Sequence, residues 1–202
     1  MAITHGYITL AELKATVNDP MTSLDAVYER AIEAASRQID EHCGRQFWRE
    51  PVPIDRVFKA CDPCELEVDD FYTVVGLSVE TDDDDDGLYE TVWAANDTLA
   101  EPVRRKPGRP YTKLVTLRER RFPTTGPRWR VRVAAQWGWE AVPAPVKQAC
   151  QILAVDLYKT KELLGGVAGF GEFGTSVRVS SFNPIAATLL DPLRRGSVIA
   201  IA

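Results

Sequence analysis

Cysteines, histidines and a run of aspartates are the residues of this 202-residue chain with the most reactive chemistry. Cys61-Asp-Pro-Cys64 has the spacing of half a zinc site or of a redox dithiol. Zinc needs two further ligands, and His42-Cys43, adjacent at a helix end, are poorly spaced to supply them. A redox pair opens a helix, whereas the following ELEVDDFYTV reads as strand, so a plain turn is the simpler account. Asp82, Asp84, Asp86 and Gly87 match the first half of a calcium-binding loop, but Trp93 occupies the twelfth position, where a bidentate Glu belongs. No helix flanks the run, so a solvated hairpin tip is expected there, with at most a weak cation site. Cys150 falls on the apolar face of a helix, as a core residue. His5 lies in a terminal segment expected to fray and His42 at a helix end. No glycine-rich loop has phosphate-binding spacing between a strand and a helix, and no carboxylate pair is singled out by its surroundings. The chain therefore reads as a non-enzyme, with no cofactor and no catalytic or metal-binding residue.

The net charge of −5 hides a division. Residues 103–132 hold eleven Lys or Arg against one acid, Glu119, a local charge of +10, while the remainder carries −15. A basic stripe on an acidic protein suits nucleic acid or the acidic face of another copy; a lopsided solvated surface is the dull alternative. Arg104-Arg-Lys-Pro-Gly-Arg-Pro110 resembles the core of an AT-hook, a minor-groove segment, except that Pro107 stands where an arginine should precede the glycine. Trp129, Val131, Val133, Ala135 and Trp137 alternate with Arg128, Arg130, Arg132, Ala134 and Gln136. That period predicts a half-buried strand whose arginines face phosphate, solvent or a neighbouring subunit, rather than an aromatic stacking platform. One possible function is thus a DNA-binding module using the basic segment from Arg104 to Arg132.

The elements that position these residues are helices at both ends and strands between. Hydrophobic content of 45% with 26% charged residues fits a soluble globular domain, or a small one with an insertion. No apolar run approaches a bilayer span, and MAITHGYITL lacks the features of a secretory signal, so reduced thiols are expected. Thr9-Leu-Ala-Glu12 has capping-box spacing, with Ile8 and Leu13 placed as a hydrophobic staple, and the helix should end near Asn18-Asp-Pro20. Thr22-Ser-Leu-Asp25 repeats the start signal. Leu24, Val27, Ala31, Ile32, Ala35 and Ile39 form an apolar stripe that ends at Cys43-Gly44. Pro143-Ala-Pro145 opens another long helix with Val146, Ala149, Cys150, Leu153, Leu157 and Leu164 on one face, closed by two glycines. Strands are predicted over residues 66–77 and 88–93 about a turn at 82–87, and over 112–117 and 128–137 as a second hairpin. Residues 165–174 carry five glycines with Phe170 and Phe173 between them, and a strand is predicted from 175 to 182. Asn183-Pro184 opens a short helix that Pro192 ends, and the sequence finishes SVIAIA. The expected fold is α+β, built on a small antiparallel helical core of two long helices and a short N-terminal helix (residues 1–48 and 140–165). A β-rich insertion (49–139) interrupts it, and a Gly-rich segment with an extended C-terminal docking arm (166–202) follows.

ITLAELKATV, AIEAASRQIDEHCGRQF, WGWEAVPAPVKQACQILAVDLYKTKE and SSFNPIAATLLDPLR together resemble the head-to-tail connector, or adaptor, proteins of long-tailed bacteriophages. In that family a short opening helix precedes one ending in a Gly-Arg-aromatic corner, here Gly44-Arg45-Gln-Phe47. A β-rich section and a second long helix follow. The likeness covers the helices and tail; the β section over residues 49–126 is longer than in minimal members, and the charged runs are not family marks. The resemblance implies a virion structural protein of the neck, between capsid and tail, made in the host cytoplasm. It implies a homo-oligomeric, dodecameric ring that docks beneath the portal protein and receives the next neck or tail-completion protein. Double-stranded DNA would pass through its channel without sequence-specific binding, and no membrane is involved. On that basis Phe170, Phe173, Ile185, Leu189, Leu190 and Leu193 are candidates for portal contact. Arg104, Arg105, Lys106, Arg109, Arg128, Arg130 and Arg132 are candidates for the subunit interface or DNA channel.

Overall fold

A computed structural model describes residues 3–164 and 182–195. Phe170, Phe173, the expected strand up to residue 181 and the closing SVIAIA lie outside the described residues. Among the described residues the architecture is α+β, with four α-helices and a six-stranded antiparallel sheet. Two compact units result: Met1–Arg45 with Val142–Ala202, and Gln46–Ala141. No described helix is long and apolar enough to cross a membrane.

The first unit holds α1 (Leu10–Val17), α2 (Asp25–Cys43), α3 (Ala144–Leu164) and α4 (Pro184–Leu190). Thr9 and Glu12 form the expected capping box, the Glu12 N–H donating to Thr9 Oγ1 at 3.2 Å and the Thr9 N–H to the Glu12 carboxylate at 2.6 Å. Asn18 closes α1 in the left-handed region at φ 54° and Gly44 closes α2 at φ 61°. The start of α2 differs from expectation. Leu24 is its N-cap and has no side-chain oxygen to cap with, while Asp25, the last residue of the expected start signal, pairs with Lys14 2.6 Å away.

Helices α2 and α3 pack antiparallel. Ser36 Oγ lies 3.5 Å from Cys150 Sγ, and the Tyr28 ring centroid lies 4.9 Å from that of Tyr158. Ascending α3 from the first contact to the second therefore descends α2 by the same number of residues. Ile32, Ala35, Ile39, Val146, Ala149, Cys150 and Ala154 are fully buried along this seam. Asn183 caps α4, its side chain accepting from the Ile185 and Ala186 N–H groups at 2.9 and 3.3 Å, and its Nδ2 donates to Asp156 of α3 at 2.6 Å. Phe182 stacks on His42 at 4.3 Å, and the Arg195 N–H donates to the Cys43 carbonyl at 2.8 Å. Residues 182–195 thus fold back onto α2 and α3, where the sequence suggested part of an extended arm. Ala186, Leu190 and Leu193 are drawn into the same core.

The second unit is the sheet, β1 (Ile54–Phe58), β2 (Glu65–Thr81), β3 (Thr91–Val92), β4 (Thr98–Glu101), β5 (Tyr111–Thr116) and β6 (Val131–Trp137). Its order is β1-β6-β2-β5-β4, with β3 paired to the far end of β2. The long β2 serves three partners, β5 over its first half, β6 over its second and β3 at its end, and Gly76 on it has φ 76°. The predicted hairpin of residues 112–117 with 128–137 does not form: β5 pairs with β2 and β4, and β6 lies between β1 and β2. The segment joining them carries Phe122, which is buried against Trp93 at 4.8 Å and donates its N–H to the Pro63 carbonyl, so it cannot act as a tight turn. The turn at 82–87 is present, but β2 runs on to Thr81 and β3 has only two residues.

Alternation holds in β6, where Val131, Val133, Ala135 and Trp137 are fully buried. It breaks just before the strand: Trp129 is 57% exposed and Arg130 only 6%. At the other end Gly138 turns the chain at φ 97°, with its N–H on the Asp70 carbonyl. Trp139 follows, buried against Phe47 at 5.1 Å with its indole N–H on Asp70 Oδ2 at 2.7 Å. A Cβ on Gly138 would lie 1.8 Å from the Trp48 carbonyl oxygen. Gly138→Ala is expected to destabilise the protein by about 3 kcal/mol or more, adding overpacking to a strained backbone. Urea denaturation checks this, and an unchanged midpoint would contradict the close approach.

Candidate functional site

The thiols divide by surroundings. Asp62 Oδ1 accepts from the Cys64 N–H at 2.6 Å and the Glu65 N–H at 3.1 Å, making a side-chain turn that leads into β2 rather than a helix. Cys43 and Cys150 are buried, and burial pushes each thiol up to about 11, which disfavours the thiolate that nucleophilic chemistry uses.

The acidic run folds around its first member. Asp82 is 1% exposed and accepts N–H bonds from Asp85 at 2.7 Å, Asp86 at 3.2 Å and Gly87 at 2.9 Å. Burial alone would raise its pKa, but these three donors and the nearby Arg130 charge outweigh it and hold the carboxyl below the usual range. Asp85 takes the left-handed conformation at φ 66°, and its carbonyl accepts from Arg128 Nη1 at 2.6 Å. Asp82, Asp84, Asp86 and Glu90 each bring one oxygen within 4.8 Å of the others, a donor set suited in kind to a divalent cation. The expected solvated tip is therefore right for Asp83, Asp84 and Asp86, which are exposed, and wrong for Asp82, which organises the loop.

The structure separates the basic candidates into two groups. Arg128, Arg130 and Arg132 are engaged within their own unit; Arg130 is buried where the alternation suggested an outward residue, while Arg128 stays exposed. Arg130 donates to the carbonyls of Asp82 at 2.7 Å and Thr125 at 3.1 Å. Arg132 forms a two-pronged contact with Glu80, one prong at 2.7 Å, and lies over the Tyr89 ring at 4.7 Å. Arg128 pairs with Asp85 at 3.9 Å. Further along the segment, Arg118 and Arg120 share Asp97 at 3.9 and 3.0 Å, and Lys113 meets Glu65 at 2.5 Å.

Arg104, Arg105, Lys106 and Arg109 differ. They lie in the connection between β4 and β5, and none makes an ion pair among the described residues. Arg105 donates to the carbonyls of Arg109 and, at 3.2 Å, Tyr72, while its guanidinium sits 4.1 Å from the Tyr111 ring centroid. Arg109 lies 5.2 Å from the Trp139 ring centroid. Sequence reading counted these cations together with the paired ones, since carboxylate partners up to 52 residues away leave no local signal.

On α4, Ile185 is 64% exposed and Leu189 is half-buried, whereas Leu190 at its end and Leu193 in the short 3-10 turn that follows are 0% and 5% exposed. The last two hold the helix in place and offer little surface to a partner.

No protein-family model matches this chain, and no curated protein sequence matches it. Its fold does match solved structures over nearly the whole length. A chain from the neck of an empty GTA particle, computed with C6 symmetry, aligns with TM-score 0.63 at 18% identity, covering 99% of this chain and 95% of that one. A chain from the neck of a native GTA particle, computed with C12 symmetry, aligns with TM-score 0.61, again at 18% identity and with the same coverage. A chain from the virion of a native gene transfer agent particle gives 0.56 at 19% identity, also over 99% of this chain and 95% of that one.

The acidic loop has a pH signature. A carboxyl whose folded-state pKa is depressed adds stability that is present above its unfolded value and lost as pH falls through the folded value. Asp82 should remain ionised below about 3.9, where an unperturbed aspartate is half protonated. The amide protection of Asp85, Asp86 and Gly87 should persist until Asp82 titrates. NMR carboxyl titration measures this directly, and an Asp82 midpoint at or above that value would contradict the loop geometry.

Proposed function

We propose that this chain is a structural subunit of a virion neck, a head-to-tail connector that assembles as a ring and acts by contact rather than catalysis. The observation that carries this role is the fold shared over nearly its full length with neck chains solved under C6 and C12 symmetry. Identical copies related by rotation meet through two different surfaces on each copy, and such contacts close into a ring when the rotation divides the circle. Each copy then needs two faces along the ring and one at each end. In the neck the ring docks beneath the portal, continues the channel for double-stranded DNA and receives the next neck or tail-completion protein.

Portal contact is assigned to the outer side of α4. Ile185 is an exposed β-branched apolar residue on a helix that packs against α3 and whose N-cap Asn183 bonds Asp156 of α3. Leu189 extends that side, while Leu190 and Leu193 act as its foundation. Deleting the whole segment would strip core residues, so a point substitution is the cleaner probe. Ile185→Asp should leave the denaturation midpoint within about 0.5 kcal/mol of the parent, as for most surface changes. Its co-sedimentation with portal-bearing capsids should weaken at least about tenfold, the effect of losing roughly 1.4 kcal/mol of contact. If the variant joins capsids as the parent does, α4 is not the anchor. If the parent itself neither joins capsids nor forms rings, the neck role fails.

A further inference from the structure

The connection between β4 and β5 holds charge that the rest of its unit leaves unmatched. No acid occurs between Glu101 and Glu119, and the other arginines of the basic segment are largely committed to carboxylates or carbonyls. Arg104 and Lys106 are exposed. Arg105 and Arg109 rest against Tyr111 and Trp139, and the Arg105 guanidinium also bonds the carbonyls of Arg109 and Tyr72. An aromatic face orients a guanidinium without neutralising it, so the positive charge stays available at its edge. The backbone is shaped as well, with Gly108 at φ 75° and the Arg109 N–H on the Lys106 carbonyl at 3.0 Å. Arg49 lies 5.8 Å from the ring of Tyr72, the residue whose backbone carbonyl Arg105 bonds, and adds a fifth cation.

We propose that this connection, through Arg104, Arg105, Lys106 and Arg109, is a contact site for the phosphate backbone of double-stranded DNA. The competing occupant is an acidic surface on a second copy: Glu65, Glu80, Asp85 and Asp97 already carry ion-pair partners, whereas Asp83, Asp84 and Asp86 stand exposed on the acidic loop. Asp82 is buried under its own loop. A duplex instead presents closely spaced phosphates of a single sign, which guanidinium edges meet without reading bases. The contact goes beyond the neck role and holds or fails separately from it, since an isolated chain can show it.

The test uses the full chain and two 20-base-pair duplexes of unrelated sequence, followed by fluorescence anisotropy between 50 and 200 mM NaCl. Four phosphate contacts give a slope of about −3.6 in log affinity against log salt, so affinity should fall about 150-fold over that range, equally for both duplexes. Arg104→Ser with Lys106→Ser should halve the slope, to a fall of about 12-fold, without moving the denaturation midpoint. Arg118→Ser, an exposed member of the same segment paired to Asp97, should leave the slope unchanged. Absence of duplex binding at 50 mM salt, or a slope indifferent to the double substitution, would overturn the assignment. So would a double variant that lost self-association while duplex binding stayed at the parent level, because the loop would then face another copy.

Discussion

Neither α2 nor α3 can bury its apolar face alone. Most of the stability of an amphipathic helix in a protein comes from packing its apolar face rather than from propensity. Their partner surfaces are each other, yet residues 46–141 separate them in sequence. Closing so long a loop from an unfolded chain would cost entropy, and the insertion reduces that cost by folding with its own ends together. β1 near its start is paired with β6 near its end, Ile54 opposite Ala135, and the Glu50 N–H reaches the Trp137 carbonyl at 2.8 Å. The chain leaves the sheet close to where it came in. The helical seam and the paired base of the insertion are therefore two expressions of one requirement, that distant segments be brought together.

Physics that acts over a few residues was legible in the sequence. The Thr9–Glu12 box, the left-handed caps at Asn18 and Gly44, and the Asn183-Pro184 start all rest on bonds spanning five residues or fewer. So did the apolar period that marked Ile32, Ile39, Val146 and Leu153 as core. Strand partners were not legible, because β5 and β6 each read well as strands and nothing local says that both flank β2. β1 and β4 were missed for a related reason. They are short, with Ile54, Val57 and Leu99 partly exposed, and exist because a neighbour pairs with them.

The candidate site shows the same limit in charges. Eleven cations in thirty residues were visible, but which of them keep their charge for a partner depends on where the acids fold. Arg130 read as an outward residue by alternation and is buried, holding the acidic loop through the Asp82 carbonyl. Leu190 and Leu193 show that helical spacing cannot distinguish a face meant for a partner from one meant for the chain's own core. Ile185, one turn away on the other side, keeps its exposure. Of the described residues singled out for portal contact, Ile185 stays most exposed, and of the basic candidates the β4–β5 connection stays free of ion pairs among the described residues.

Cryo-electron microscopy of particles assembled with this chain present is the most direct test of the proposed neck role. Density of this fold should form a closed ring with twelve copies between the portal and the tail. A neck without that density, or the chain found only as free monomers among assembled particles, would contradict the account.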